Sequence, residues 1–227
     1  YNGYLTSNAG ELFLSYFEKA FAAYCEQKHI IAEFTRFHPL IGNKSYPKSL
    51  RVVDDRETVY VDLSETWDNF WMNQFSSKNR NMIRKAEKLG YKCEIVEHPI
   101  RNQIDGFIQI YYRSMKMVNA TNYYLFNDKY FQHTFKYLAE SSFLFNIINE
   151  ANEIVCSSIF FKSRDYFHYH LSGRSELADN TVNNFLLSEA IKFAKGLDMK
   201  LIHLGGGRTN AEDDSLLKFK KSFSKVS

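Results

Sequence analysis

Three apolar runs, 143–149, 153–161 and 166–172, follow one another with only Asn149-Glu150-Ala151-Asn152 and Ser163-Arg164-Asp165 between them. Linkers that short, built from Asn, Asp and Ser, turn the chain back on itself, so the runs are predicted to pair as a continuous antiparallel meander. Around the meander the periodicity is helical. Residues 101–118 place Ile104, Phe107, Ile108, Tyr111, Tyr112 and Met115 on one stripe. Asn127 is placed to cap a helix over 128–140 with Tyr130, Phe131, Thr134, Phe135 and Leu138 inside. A strand at 91–97 precedes these helices. A helix at 184–197 then carries the chain to a last strand at 200–204, which is expected to lie parallel to, or splayed from, 166–172. Gly205-Gly206-Gly207, an Asp213/Asp214 cap and a short helix with Leu216, Phe219 and Phe223 inside complete the order β-α-α-β-β-β-α-β-α. That order is α+β, a mainly antiparallel sheet flanked by helices, and excludes a doubly wound sheet.

The first part of the chain is less regular. Leu12, Phe13, Tyr16, Phe17, Ala20 and Tyr24 predict an amphipathic helix over 9–28. Strands are expected at 30–35, ending in Arg36-Phe37-His38-Pro39, and at 50–53 and 58–63 around Asp54-Asp55-Arg56. A helix should begin near Ser64 with Trp67, Phe70 and Trp71 buried. From Ser77 to the stop at Gly90, Met82, Ile83, Ala86 and Leu89 share one arc of a helix. Lys78, Arg80, Arg84, Lys85 and Lys88 share the other, with Glu87 the lone acid. The expected division is a partial N-terminal unit, 1–75, resembling the later helix–strand portion, and a complete unit, 76–227, that includes the basic helix 77–90.

With 44% hydrophobic residues the chain cannot be intrinsically disordered. A net charge of +3 is too small to imply nucleic acid by itself. No apolar run approaches the ~20 residues of a membrane span, and no secretory leader is visible, though the sequence starts at Tyr1 and an upstream segment stays open. The three cysteines, Cys25, Cys93 and Cys156, lack metal-type spacing and read as reduced, buried thiols of a cytoplasmic protein.

Several short motifs carry a more specific likeness. Ser77-Lys78-Asn79-Arg80-Asn81-Met82-Ile83-Arg84-Lys85-Ala86-Glu87-Lys88-Leu89-Gly90 resembles the "K-x-R-x-x-I-R-K-A-x-x-x-G" helix of Fem-type (FemAB-like) transferases. Tyr169-His170-Leu171-Ser172-Gly173, Asn184-Phe185-Leu186-Leu187 and Leu204-Gly205-Gly206-Gly207 follow that family's second domain in order, and Leu217–Phe223 is similar to its "F-K-x-x-F" signature. Tyr1-Asn2-Gly3-Tyr4 and Arg36-Phe37-His38-Pro39 resemble its first-half loop and strand end. The element order is that of the GNAT acyltransferase fold to which these enzymes belong. The resemblance implies transfer of an acyl or aminoacyl group, from acyl-CoA or aminoacyl-tRNA and with no tightly bound cofactor. The acceptor it implies is an amine of a cell-envelope or polysaccharide precursor, small or lipid-linked, with peripheral membrane contact open. One departure matters. Ordinary GNAT enzymes hold the coenzyme A pyrophosphate on backbone N–H groups of a glycine-patterned loop at a helix N-terminus, and the loop 173–183 lacks that pattern.

Site candidates follow. Lys220, on the lysine of the F-K-x-x-F-like motif, is the candidate for oxyanion stabilisation, and His170 is a weaker candidate base that also reads as a hydrogen-bonded sheet histidine. Lys218 falls on the opposite side of its helix. Substrate-binding candidates are Arg36, His38, Arg80, Asn184, Gly206 and Arg208, with Asn210 alongside. Arg36, His38 and Arg80 are expected on a common concave surface, or else in structural ion pairs with acids such as Asp62 or Glu65. The glycine run reads either as a place of close ligand approach or as a flexible turn. His168 and His170 share a sheet face, yet with no third ligand in view no metal is expected. The basic arc of 78–88 reads either as a solvated helix face or as a phosphate- or tRNA-binding surface, the latter giving the alternative of a non-catalytic GNAT-like binding module.

Overall fold

The computed structural model describes residues 1–209 and 211–224, so Asn210 lies outside the described residues. The chain divides into two compact units, Tyr1–Asp55 and Arg56–Ser227. The boundary expected at 75/76 lies inside the second.

The smaller unit contains α1, Glu11–Gln27, and a single 3-10 turn, Asn43–Ser45. Asn2 and the buried Asn43 organise the rest. The Asn2 Oδ1 accepts the Arg36 N–H at 2.6 Å, and the Asn43 amide donates to Asn2 O at 3.1 Å and accepts the His38 N–H at 3.2 Å. Gly3 has φ +100°, and a Cβ there would sit 2.7 Å from the Phe37 ring, so only glycine fits. The strands expected at 30–35 and 50–53 do not form. A strand needs a neighbour to take its N–H and C=O groups, and among the described residues this unit offers only the isolated Asn2–Phe37 bridge. Ile31 and Phe34 are accordingly solvent-facing. The apolar stripe of α1 also departs from expectation: Leu12, Tyr16 and Tyr24 are exposed, while Leu14 is buried. These elements give no support to a half-copy of the larger unit.

The larger unit follows the predicted order closely. Its elements are β1 (Thr58–Asp62), α2 (Trp67–Asn69) running into a π-helical turn (Phe70–Gln74), α3 (Ser77–Lys88), β2 (Lys92–Glu97), α4 (Arg101–Met117), α5 (Asp128–Tyr137), β3 (Ser142–Ile148), β4 (Ile154–Ser163), β5 (Tyr166–Arg174), α6 (Val182–Gly196), β6 (Leu201–Gly206) and α7 (Ser215–Lys221). The sheet order is β1-β6-β5-β4-β3-β2. The meander β3–β4–β5 pairs antiparallel throughout, β2 closes one edge, and β6 pairs parallel with β5 and antiparallel with β1.

Strand alternation divides the core into two layers. Phe143, Phe145 and Ile147 face the layer that also buries Ile83, Ala86, Leu186, Ala190 and Phe223 from α3, α6 and the segment after α7. Leu144 and Ile159 face the layer formed by Ile104, Phe107 and Tyr111 of α4 with Phe131 and Phe135 of α5. The helix ends are capped as their sequences require: Thr66, Ser76, Asn127 and Asp214 accept first-turn N–H groups. Arg80 closes the π turn, its guanidinium donating to Phe75 O at 2.6 Å and Trp71 O at 3.0 Å.

One contact sets the spacing of the second layer. A Cβ on Gly173 would lie 2.6 Å from the Tyr111 Cα and 2.8 Å from its N, so β5 touches the backbone of α4. Backbone cannot rotate aside. Gly173→Ala should therefore push α4 off the sheet and cost about 1–3 kcal/mol, read as a lowered urea midpoint at unchanged m-value. Gly106→Ala, where no atom lies within 4 Å of the new Cβ, is expected to leave the midpoint unchanged or raised.

Candidate active site

Strands β5 and β6 are paired at only three positions, Tyr166–Leu201, Phe167–Ile202 and His168–His203. Beyond them β5 stays with β4 as far as Arg174, and β6 stays with β1 as far as Gly206. The strands diverge, and the opening between them is lined by backbone without a pairing partner in the neighbouring strand. On β5 the ladder also slips: Ile159 faces Leu171 while Phe160 faces Tyr169, leaving His170 as the extra residue of a bulge.

Lys220 enters this region from α7. It is 7% exposed, its Nζ donates to Gly206 O at 2.7 Å, and it stands 5.8 Å from the centre of the Tyr169 ring. Burial pulls its ammonium down to about 8 from an ordinary 10.5, against a smaller opposing pull from Asp214. The glycine run makes room for this amine. Gly205, at φ +76°, would otherwise bring a Cβ to 3.4 Å from Nζ, and a Cβ on Gly207 would meet the Asp214 carboxylate at 2.6 Å. Asp214 in turn accepts the N–H groups of Arg208 and Thr209 at 2.9 Å each and that of Leu217 at 2.8 Å. One carboxylate thus caps α7 and folds the turn after β6 over it. Those N–H groups, with Leu217 foremost, hold its carboxyl at about 2.

His170 lies on the other face of the sheet. Its Nε2 is 2.6 Å from the Tyr130 hydroxyl of α5, and its ring packs on Phe161 at 4.6 Å. Burial lowers it to about 4, so it is neutral at pH 7. Tyr169 belongs to the α6-side layer, so the two candidate catalytic groups, Lys220 and His170, flank β5 on opposite faces. His168 stacks on His203 with their Nδ1 atoms 3.1 Å apart. Among the described residues no group of three or more His, Cys, Asp or Glu is placed to hold a metal ion. Cys156 is buried, Cys25 and Cys93 half-buried, and burial raises the thiols of Cys156 to about 11 and Cys93 to about 12, which makes both inert.

The other candidates are placed as follows. Asn184, buried at the start of α6, donates to Asn79 Oδ1 at 2.8 Å, and Asn79 donates to Ser222 O at 3.2 Å, so its amide ties three segments together. Arg208 is exposed just past the end of β6. Arg80 faces carbonyl oxygens of the π turn, as described above. Arg36 and His38 belong to the smaller unit, where the guanidinium lies 5.3 Å from the Tyr1 ring centre and the imidazole 5.0 Å from it. Tyr130 and Ser158, the latter with its Oγ 2.6 Å from that of Ser172, are groups near these strands that pattern reading does not single out, while Tyr169 and Ser172 lie in a quoted motif that does not mark them as site candidates. Each looks like ordinary strand or helix core, and only the register reveals its place.

The loop between β5 and α6 has its own chemistry. Asp179 accepts the Thr181 N–H at 3.0 Å through Oδ1 and the Lys85 ammonium of α3 at 3.0 Å through Oδ2, and its own N–H donates to the Tyr91 hydroxyl at 3.0 Å. No helix among the described residues is long and apolar enough to cross a membrane.

Comparison with known proteins agrees with this geometry. Residues 75–220 match the family model for the acetyltransferase (GNAT) domain. No curated protein matches the chain in sequence. Among solved structures, FemX superposes with a TM-score of 0.62 at 13% identity, covering 74% of this chain and 59% of FemX. The L-PGS of Bacillus licheniformis gives 0.58 at 15% identity, covering 76% and 58%. The C-terminal domain of an Agrobacterium fabrum protein described as a lysylphosphatidylglycerol synthetase gives 0.57 at 13% identity, covering 76% and 57%. The chain thus spans less than two thirds of each, and at these identities the likeness is one of fold. The family match takes in the meander, the diverging strands, α6 and Lys220, and on that ground the chain belongs to the acetyltransferase (GNAT) domain family.

Proposed function

We propose that this protein is an N-acyltransferase that moves an acyl or aminoacyl group, from acyl-CoA or aminoacyl-tRNA, to an amine of a cell-envelope or polysaccharide precursor, small or lipid-linked. The observation that carries the reading is Lys220, a buried cation held by Gly206 O beside strands that part company after His168 and His203. The name of one fold neighbour, lysylphosphatidylglycerol synthetase, denotes an aminoacylated lipid, which fits the lipid-linked part of this reading but not the amine, since phosphatidylglycerol offers hydroxyls only.

In this reading a neutral acceptor amine attacks the donor carbonyl directly. The carbon–nitrogen bond forms, the bond from the carbonyl carbon to the donor's sulfur or ribose oxygen breaks with its electron pair going to that atom, and the proton lost by the nitrogen ends, through solvent, on the departing thiol or hydroxyl. No covalent enzyme intermediate is needed, because the amine is itself the nucleophile. Negative charge gathers on the carbonyl oxygen in the transition state, and the ammonium of the buried Lys220 supplies the compensating charge. His170, neutral and hydrogen-bonded to Tyr130, is too weak a base at about 4 to hold a proton at pH 7; it serves as a polar contact on the opposite face. Arg208 is the exposed cation nearest in sequence to the glycine run and is a candidate for anionic parts of the substrates; Arg36 and His38 are separate candidates within the smaller unit.

A second reading keeps the fold without the chemistry. Arg84 and Lys88 are exposed on α3 with Glu87 as the neighbouring acid, and Arg84 stacks 5.1 Å from the Trp71 ring centre, which suits a module binding tRNA or another polyanion. Transfer to a defined amine acceptor supports the first reading. Salt-steep RNA binding without turnover supports the second.

Two outcomes test Lys220. Lys220→Met keeps the stem and removes the charge, and is expected to lower turnover by roughly 10²–10³ with acceptor KM changed much less, measured with whichever donor and acceptor pair the parent uses in a screen. The charge also has a pH signature. The folded-state ammonium at about 8 lies below its ordinary 10.5, so between those values the unfolded chain binds more protons and stability rises with pH. The urea midpoint of the parent should therefore gain on that of Lys220→Met between pH 8 and pH 10, whereas turnover that depends on the cation should decline above pH 8.

A further inference from the structure

Helices α4 and α5 lie in one layer on the sheet, burying Phe107, Tyr111, Phe131 and Phe135 against Leu144 and Ile159. Their outward sides therefore share one surface. The segment that joins them is pinned from beneath: the hydroxyl of Tyr111 donates to Tyr124 O at 2.8 Å, and that of Tyr112 donates to Phe126 O. With its main chain held inward, the segment presents side chains to solvent. Tyr123 is 74% exposed, with Tyr124, Leu125 and Val118 exposed beside it, and Tyr137, 69% exposed, adds to the surface at the far end of α5. Between the segment and the end of α4 runs a groove of about 430 Å³, lined by Tyr112, Met115, Lys116, Asn119, Ala120 and Leu125.

The charge on this side has one sign. From Gly106 to Ala139 the Arg and Lys residues are Arg113, Lys116, Lys129 and Lys136, all exposed, and the lone acid, Asp128, is paired with Arg101 at 3.2 Å. Arg113 and Lys116 lie on the outer face of α4, and Lys129, Lys136 and Tyr137 recur at helical spacing on that of α5, where the Lys136 ammonium stands 5.3 Å from the Tyr137 ring centre. Helix α1 makes the contrast. It too exposes rings, Tyr16 and Tyr24 among them, but it sets Glu11, Glu18 and Glu26 against Lys19 alone.

We propose that the outer side of α4, α5 and their connecting segment docks on an anionic lipid bilayer, with Tyr123, Tyr124 and Leu125 entering the headgroup region and Lys116 and Lys129 over lipid phosphates. Tyrosine has an apolar ring and a polar tip, which suits the boundary between acyl chains and headgroups. Lysines spread their stems over apolar surface while the ammonium reaches anionic groups. The groove, apolar along its length with Lys116 at its edge, gives one acyl chain and its phosphate a place to lie. This is a statement about where the protein sits, and it stands independently of the acyltransfer reading.

The test is flotation of the full chain with vesicles of phosphatidylcholine alone and of phosphatidylcholine with about one third phosphatidylglycerol. Binding to the anionic vesicles should exceed binding to the neutral ones by roughly tenfold or more, and should fall as salt is added. A cation brought to such a surface is worth about fivefold, so Lys116→Gln combined with Lys129→Gln should lower binding by roughly 10- to 25-fold and flatten its salt dependence. Tyr123→Ser combined with Tyr137→Ser should lower binding at every salt concentration and leave the salt slope in place. Tyr16→Ser on α1 should change nothing. All five side chains are exposed, and urea midpoints equal to the parent's separate lost binding from lost folding. Equal binding to the two vesicle types, no binding, or binding that neither double variant lowers overturns the proposal. So does a dimer in solution that Tyr123→Ser dissociates, which gives the surface to a second copy of the chain, and so does binding of dispersed short-chain phosphatidylglycerol without binding of vesicles, which makes the groove a site for single lipids. Transfer to an amine is read separately, by turnover, and none of these results removes it.

Discussion

The short parallel stub between β5 and β6 is the constraint on which the larger unit depends. Three paired positions lock the register of β6 against the meander, and from there the strands must choose different neighbours. β6 follows β1, and β5 follows β4. Every special feature of the region answers to that divergence. Glycines end β6 where α7 passes close, Asp214 gathers the turn that results, and a single amine reaches back across the gap to a carbonyl at the end of β6. A fully paired β5–β6 ladder would satisfy those backbone groups and leave nothing for a substrate to meet.

Around the opening, polar side chains do the joining that apolar contact cannot specify. Asn184 to Asn79 to Ser222 O links α6, α3 and the segment after α7 through buried amides. Both asparagines are buried, so removing one leaves the other's amide unsatisfied, which costs more than a typical hydrogen bond contributes. Arg80 works similarly at the π turn, where a guanidinium collects carbonyls that the irregular helix cannot satisfy internally. These ties fix where α3 and α7 sit relative to the sheet, and hence where Lys220 arrives.

Much of this was legible in the sequence, for identifiable reasons. Two tight turns and uninterrupted apolar runs leave a meander as the only economical pairing, and the crossover at 184–197 returns the chain parallel to β5. The lysine was findable because it lies in a recognisable short motif. The strand at 30–35 was misread because alternation describes a residue pattern and says nothing of whether an edge is available, and within 1–55 none is. Arg80 carries charge, which suggests phosphate to a reader of sequence, yet its partners are main-chain oxygens that no composition announces. The bulge at His170 is equally silent: one extra residue changes no periodicity that a nine-residue strand can display, yet it puts Tyr169 and Leu171, two positions apart, in opposite layers of the core. Asp179 reads as an ordinary loop acid until the fold brings Lys85 and Tyr91 beside it.

The close approach of Gly173 to the α4 backbone has a mechanical consequence. Side chains yield to a push by changing rotamer, and most helix–sheet contacts have that slack. Here main chain meets main chain, so β5, its bulge and α4 travel together as a stiff slab, with α5 attached through Tyr130 and His170. Whatever give the opening possesses must then come from the opposite bank, where β6 is held by β1 and by a lysine whose tether is a single hydrogen bond. The region is a rigid jaw facing a compliant one.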